Sequence, residues 1–556
     1  MVSLFSSLNM TANALSVNES AISVVSHNVA NMNTEGYSKQ KVNLATRNIA
    51  GAIGDSVEAQ IRANGGVMIA SVTRYNDAYL NNYYRDQLSI LKGYEEQLGN
   101  LGDLAEIFDD LKGEGIDTAL SNFYEALNNL NEYPASSTAR INFIETAKTL
   151  TATLNTKSVQ LDELTSKALG DGISQEALEN SEIYNKFEAF NDKLTELAEI
   201  NKALAVTQTG TLEANNLLDK RDMILNKIAE FIDINIEEKP NGSVDLYAGG
   251  EKLVSGSEVK GKLQIQTAAS YCEANGLIYP DEWVTEDGKP REAAVISIVN
   301  PENPDEIIVS DANSVITTGV IGGLLHSADL EVDGMNAGVA KDSLNKLAKA
   351  IAEVFNDLNT RDGAYAIDPN DTGKLVATNE KNVIFGNFVQ KIDPNTNQPV
   401  FDPDTGEPIY ELEEITAGNI SINSSLLTND GIWNLSCAYF AEGENFDERA
   451  VGNAQNVAAM LGTRNEKLDS LNGMSIEDFY TGLVGKIAAG GSNSQNLVDT
   501  QNDVVDSIYN KILSNNSVDL NEELVDLVKY QTAYSAAAQV FNTCNACLDT
   551  LMTLGR

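Results

Sequence analysis

The chain is short of cysteine, histidine and positive charge. Its 556 residues hold four cysteines, two histidines, two tryptophans, and 38 lysines and arginines against 81 aspartates and glutamates. Each shortage excludes something. Cys272, Cys437, Cys544 and Cys547 are too few and too scattered for a disulfide framework. His27 and His326 stand in no metal-ligand spacing, so no metal or cofactor is expected. A net charge of −43 repels phosphates, which argues against nucleic acid and anionic membrane as partners. No run of about 18 apolar residues is available to span a bilayer. Residues 1–18 (MVSLFSSLNMTANALSVN) carry no charged side chain and no uninterrupted apolar stretch, so no Sec-type signal is expected.

What is present is enough apolar material, 42% of residues, to build cores in about two to four domains. The acidity is unevenly spread. Residues 1–60 carry a net −1 and residues 505–556 a net −3, which leaves −39 for the middle. Two nearly neutral ends flank a strongly solvated body.

The ends also carry the clearest periodicity. Leu8, Leu15, Ile22 and Val29 form one row of seven-residue spacing, and Leu4, Thr11, Asn18 and Val25 a second. Near the other end the rows are Leu520, Leu527, Tyr534, Phe541 and Leu548, then Leu524, Gln531, Ala538, Asn545 and Met552. Such rows predict helices with a coiled-coil seam, and the polar seam positions fix register and partner. Pairing of the two ends is the expected arrangement. Each buried seam residue contributes roughly 1.5–3 kcal/mol, whereas ordering a residue costs about 1–2 kcal/mol. The ends are therefore expected to be loose in a lone copy and to order against neighbours.

Between the ends, residues 75–132, 137–170 and 181–233 read as long helices with narrow apolar stripes. At Lys239-Pro240-Asn241-Gly242 short alternating strands begin. TTGVIGGLL (317–325) opens a further helix to about residue 359, and 383–415 reads as a β-meander. Helix returns after about 440. The expected fold is mainly α with an inserted β-rich domain. Residues 1–60 and 508–556 form a terminal coiled-coil domain. Residues 61–235 and 440–507 form an elongated helical bundle, with 320–359 packed on it. Residues 236–319 and 360–439 form one β-rich outer domain.

No catalytic constellation emerges. Cys544-x-x-Cys547 lacks the second half of a zinc site and sits beside the seam. Gly319-x-x-Gly322-Gly323 has neither the spacing nor the lysine of a phosphate loop, and reads as a tight entry into a helix. Asp402-Pro-Asp404-Thr-Gly406 only faintly resembles a calcium loop, has Pro408 close behind it and reads as a hairpin turn. Asp219-Lys-Arg-Asp222 reads as surface ion pairs on a helix. No catalytic or cofactor-binding residue is nominated.

The stretch SHNVANMNTEGYSKQKV (26–42) resembles the N-terminal signature of bacterial flagellar axial proteins, through Asn28, Ala30, Asn31, Asn33, Thr34, Gly36 and Tyr37. Glu35 stands where that family usually has proline. LVKYQTAYSAAAQVFNTCNACLDTLMTL resembles the matching C-terminal end. Ser38-Lys39-Gln40, GVMIASVTRYNDAYLNNYYRDQ, YPASSTARINFI, ANNLLDKRDMIL and TTGVIGGLL favour the hook–filament junction branch over hook and rod proteins. The resemblance is weakest over about 240–310 and 365–435. It implies type III export without a cleaved signal and location in the extracellular flagellum. It also implies a self-assembled ring with inner paired helices, and as partners the hook protein, a second junction protein and an export chaperone at the C-terminal helix. Another axial protein, or a binding module or enzyme carried on axial ends, is the alternative. In either case 26–40 reads as a corner. The helix stops, Asn31 and Asn33 cap it, Gly36 takes positive φ, Tyr37 anchors the loop on a neighbour, and His27 is packed rather than catalytic.

Overall fold

The computed structural model describes residues 2–48, 64–109, 115–172, 174–267, 270, 294–309, 316–327, 334–393, 398–402 and 407–554. Cys272 and most of the Asp402–Gly406 turn lie outside them. The chain opens with helix α1 (Val2–Ala30), followed by strands β1 (Gln40–Asn48) and β2 (Asn64–Arg74), which pair antiparallel. This two-stranded sheet falls within and beyond the 1–60 segment read as coiled coil, and the heptad count gave no sign of it. It packs on α1 through Ala21, Val24, Val42 and Val72.

Five helices follow: α2 (Ala78–Ile107), α3 (Ile116–Glu132), α4 (Ser137–Leu169), the single turn α5 (Gln175–Glu179) and α6 (Glu182–Val206). Helix α7 (Leu212–Phe231) leads into a four-stranded sheet, β3 (Asn235–Glu238), β4 (Val244–Ala248), β5 (Glu251–Ser255) and β6 (Glu258–Val259). A three-stranded sheet, β7 (Lys262–Thr267), β8 (Ala294–Asn300) and β9 (Asn303–Val309), comes next, then helices α8 (Gly319–Leu325) and α9 (Ala337–Thr360). Small strands follow: β10 (Ala364–Asp368), β11 (Asp371–Ala377), β12 (Phe388–Gln390), β13 (Ile392–Asp393), β14 (Gln398–Pro399), β15 (Tyr410–Leu412) and β16 (Ala438–Tyr439). The chain ends in α10 (Gln455–Gly462), α11 (Ile476–Asn516) and α12 (Leu520–Leu554).

Helix starts are chemically marked. Asp77, Ser136, Ser181, Thr211, Asn336 and Ser475 each accept the backbone N–H three residues on, which satisfies one of the helix's orphan donors. Helices α2 and α11, about 45 and 60 Å long at 1.5 Å per residue, form a spine. Leu88 and Leu91 meet Val505, and Gln501 Nε2 donates to the Gln87 carbonyl at 3.0 Å.

Two separate cores hang on this spine. One joins the end of α2 to α3, α4, α9, α10, the start of α11 and the segment around 384–437. At its centre Phe123 touches Phe143, Phe355 and Phe385 with ring centroids 5.0–6.3 Å apart. The other joins α6, α7 and α8 to β4, β5, β7 and β8. The sequence reading places 236–319 and 360–439 in one outer β domain and α6 and α7 in the bundle. The structure divides the two β segments between the cores, and α6 packs on sheets. Amphipathic periodicity identifies an apolar face but not what covers it. The sheet partner is marked instead by buried asparagines. Asn191 clasps Leu263 N and O at 3.0 and 2.8 Å, and Asn201 clasps Val244 N and O at 3.0 and 2.9 Å.

The helix expected from 317 to 359 is split into α8 and α9, and 75–132 is likewise split between α2 and α3. Gly319 has φ +76°, and a Cβ there would collide with the Phe231 carbonyl, while Gly323 lies against Gly93 of α2. The glycines of TTGVIGGLL thus let α8 cross α2 at backbone contact.

Candidate functional site at the joint of the chain ends

Residues 26–40 bring the two ends of the chain together. Asn28 is 1% exposed, and all four hydrogen-bonding capacities of its amide are used. Nδ2 donates to the Gln40 carbonyl at 2.8 Å and to Glu523 Oε2 at 3.0 Å. Oδ1 accepts from Gln40 N at 3.0 Å and from the Tyr37 hydroxyl at 2.7 Å. Tyr37 therefore anchors the loop on α1 of its own chain. Its hydroxyl also lies 3.0 Å from His27 Nδ1, so His27 is packed in the corner. Burial, with Asp219 and Glu523 nearby, pushes the Tyr37 phenol upward and keeps it protonated. Asn31 Nδ2 caps the helix by donating to the His27 carbonyl at 2.9 Å. Ala30, Asn33 and Thr34 sit at the exposed rim. Gly36 has φ +76°, and a Cβ there would fall 2.5 Å from Met223 Cγ.

Ser38, Lys39 and Gln40 tie the corner to α7, α1 and the two C-terminal helices. Ser38 N donates to Asp219 of α7 at 3.3 Å. Lys39 N donates to the Asn516 carbonyl at the end of α11 at 2.8 Å, and its Nζ reaches Glu522 at 2.6 Å and Glu523 at 3.3 Å. Gln40 is bound by Asn28 and, through its side chain, by Asn215 and Asn216 of α7. Burial alone would lower the pKa of Lys39. The two glutamates outweigh it and hold the ammonium charged.

Behind this splice lies an ionic network that corrects the reading of Asp219-Lys-Arg-Asp222 as surface pairs. Asp219 and Arg221 are buried, and Asp222 lies beneath three arginines. Arg74 binds Asp219 at 2.8 Å and Asp222 at 2.6 Å; Arg221 binds Asp222 and Glu238, each at 2.9 Å; Arg85 reaches Asp222 at 3.3 Å. Burial would raise the Asp222 carboxyl, but Arg74, Arg221 and Arg85 pull it down to about 2. Burial wins at Asp219, whose pKa is raised despite Arg74. The network locks β2, α2, α7 and β3 to the corner.

From the corner, α12 runs back along α1. Tyr530 packs with Ala21 and Val24, seven or fewer residues from Glu523 and Asn28 in opposite chain directions, so the helices are antiparallel. Of the seam positions on α1, Val25 is buried while Leu4, Leu8, Leu15, Ile22 and Val29 are half-buried; Val17, Ala21 and Val24, outside both rows, are buried as well. On α12, Leu527, Phe541 and Leu548 are half-buried, and Leu520 and Tyr534 are more exposed. The second predicted row fails: Leu524, Gln531, Asn545 and Met552 face solvent, and only Ala538 is half-buried. The row turned inward is Glu523, Tyr530, Ala537 and Cys544, one residue earlier. Tyr530, Ala537 and Cys544 make the inward row the more apolar of the two, and the carboxylate at its head disguises it.

Comparison with known proteins identifies this architecture. Residues 8–37 match the family described as flagella basal body rod protein, and 510–554 the flagellar basal body rod FlgEFG protein C-terminal. Residues 101–373 match the flagellar hook-associated protein FlgK helical domain. The chain is similar to flagellar hook-associated protein 1 of Bacillus subtilis, 24% identical over 99% of this chain and 98% of that one. The Salmonella typhimurium protein of the same name is 23% identical over 98% and 99%. The solved flagellar hook junction protein FlgK from Burkholderia pseudomallei shares the fold, with a TM-score of 0.53, 14% identity, and 77% of this chain and 99% of that one covered. The molecule is a flagellar axial protein. Within that class it belongs to the hook-associated protein 1 family.

Proposed function

We propose that this chain is the structural adaptor between flagellar hook and filament. It leaves the cell by type III export and assembles as a ring of copies through α1 and α12, with the hook protein on one side and a second junction protein on the other. It performs no catalysis. The observation that carries this reading is the state of α12. It is a 35-residue helix docked on α1, yet Val525 is 67% exposed, Val528 60% and Met552 73%. So much apolar surface at an otherwise well-formed helix marks an interaction face. Before assembly an export chaperone would cover the same face.

Imaging the hook–filament boundary in cells lacking the protein tests the role: filaments should detach, and attached filaments would refute it. Removing 520–556 should leave a soluble body that cannot join a filament. Circular dichroism should show more helix in the assembled form than in the monomer.

A further inference from the structure

Residues 388–412 leave the core of α3, α4 and α9 as a small antiparallel ribbon. Its base is fixed. Phe385 and Ile415, just before and after it, are buried in that core, and Glu413 N donates to the Asn387 carbonyl at 3.1 Å. Strand β12 pairs with β15 and β13 with β14, while Phe401 bridges Pro408. Residues opposite each other in a ladder share a face, and successive residues along a strand alternate. The register therefore sorts the ribbon into two faces. One carries Phe388 opposite Leu412 and Gln390 opposite Tyr410. It continues through Ile392 opposite Pro399 and the Phe401–Pro408 bridge, with no charged side chain among them. The other face carries Lys391, which binds Glu411 at 2.9 Å, with Asp393, Asp402 and Glu407. An exposed two-faced ribbon ordinarily covers its apolar side and leaves its charged side to water. Here the charge-free side is open as well: Phe401 is 53% exposed, Tyr410 55%, Ile392 43% and Leu412 36%.

We propose that this charge-free face of the 388–412 ribbon docks on a second copy of the chain, its neighbour in the assembled ring. The proposal rests on the assembly reading for the presence of that copy. Two observations favour a copy over a different partner. The first is charge. At −43, two copies repel over most of their surface, and like charges brought face to face are destabilising. A face with no charge is where such chains touch without that penalty. The second is size. With strands about 4.8 Å apart and a rise of about 3.3 Å per residue, the face covers roughly 200–400 Å². An interface that holds unaided needs about 800 Å² on each partner. The ribbon is therefore too small to capture a free protein. It adds binding between molecules already held side by side, where the second contact is made at high effective concentration. In the proposed ring, the molecules that α1 and α12 hold side by side are copies of this chain. Ring symmetry makes the contact heterologous, with the ribbon of one copy on a different patch of the next.

Photocrosslinking of the full-length chain in isolated flagella tests the contact. A benzophenone amino acid replaces Phe401, Tyr410 or, on the charged face, Glu411; all three positions are exposed, so the fold tolerates the probe. A fourth probe at Val528 reports the α12 contact independently. Irradiation should give covalent pairs of this chain from positions 401 and 410, several-fold more than from 411, with mass spectrometry identifying both members. Pairs with a different protein overturn the proposal, and so does equal yield from both faces. Copy pairs from 528 with none from 401 or 410 remove the ribbon contact and leave the ring. Copy pairs from 401 or 410 with none from 528 keep the ribbon contact and move the ring contact off the open face of α12. A charge variant stands in where a probe keeps the chain out of the flagellum. Phe401→Glu combined with Tyr410→Glu should leave unfolding of the purified chain unchanged while filaments shear off several-fold more readily. Unchanged shear resistance in that variant overturns the proposal.

Discussion

Helices α3 and α12 are built on opposite plans. Helix α3 has 17 residues and buries eight of them, Ile116, Ala119, Leu120, Phe123, Tyr124, Ala126, Leu127 and Leu130. Helix α12 has 35 residues and among its described side chains buries Glu523 alone. The first is held by apolar area, which is indifferent to small rotations but intolerant of lost volume. The second is held near its start by directional polar contacts, which tolerate lost volume but not lost geometry. A body that must keep one shape suits the first plan. An end whose apolar face is left open suits the second.

The sharpest way to break this contrast is to cut volume from the body. Phe123→Ala removes a fully buried ring from a cluster of four other aromatics. It should cost about 3–5 kcal/mol in denaturant unfolding. A loss below about 1 kcal/mol would mean that the core is not close-packed there. Asp222→Asn tests the joint between the two plans. A carboxyl depressed to about 2 contributes stability that is fully present above its unfolded pKa of 3.8 and is lost as pH falls through the folded value. The difference of nearly two units corresponds to about 2 kcal/mol. The stability gap between variant and parent should therefore be widest near neutrality and narrow between pH 4 and pH 2. A gap independent of pH would remove the arginine-paired carboxylate from the account.

Much of this plan was legible in the sequence, and the limits of legibility follow the same division. The two terminal helices and the axial corner were readable because heptad spacing and the Asn-x-Ala-Asn-x-Asn signature are local. Gly36 could be assigned its positive φ from sequence alone, and so could the capping role of Asn31. The inward row of α12 is missed although it is the more apolar one, because it is headed by Glu523, whose buried partner Asn28 lies 495 positions away. The ionic network was misread for a similar reason. Asp219-Lys-Arg-Asp222 is an ordinary charged helix turn until Arg74 and Arg85 arrive from β2 and α2. The split of the β segments between two cores was hidden because asparagines on helices look like surface residues. Asn191, Asn201 and Asn356 each present a donor and an acceptor to a backbone segment that the sequence does not name. A helix with asparagine inside its apolar face is a signal worth carrying to other chains: the amide substitutes for a missing strand neighbour without adding charge.

At the corner itself the effect should be smaller. Gly36→Ala places a side chain at positive φ, which costs about 1–2 kcal/mol, and presses on the flexible Met223. Thermal unfolding of the body should move by a few degrees at most, while amide exchange over 31–40 should quicken. Slow exchange there in the variant would show that the loop does not need its left-handed turn.

The smallest effect on the isolated chain should come from α12. Val528 is 60% exposed, so Val528→Ser removes almost no buried area in a single copy. Its unfolding free energy should stay within about 0.5 kcal/mol of the parent, as surface substitutions do. Assembly should respond differently. If Val528 meets a neighbour in the proposed ring, each copy loses an apolar contact, and small losses repeat where many copies bind at once. Filament attachment should weaken in cells carrying the variant although the purified chain is unchanged. The pairing of those two measurements matters more than either alone. A variant that leaves both unfolding and attachment intact would mean that the exposed face of α12 is not where copies meet, and the contrast between a body held by burial and an end reserved for partners would lose its second half.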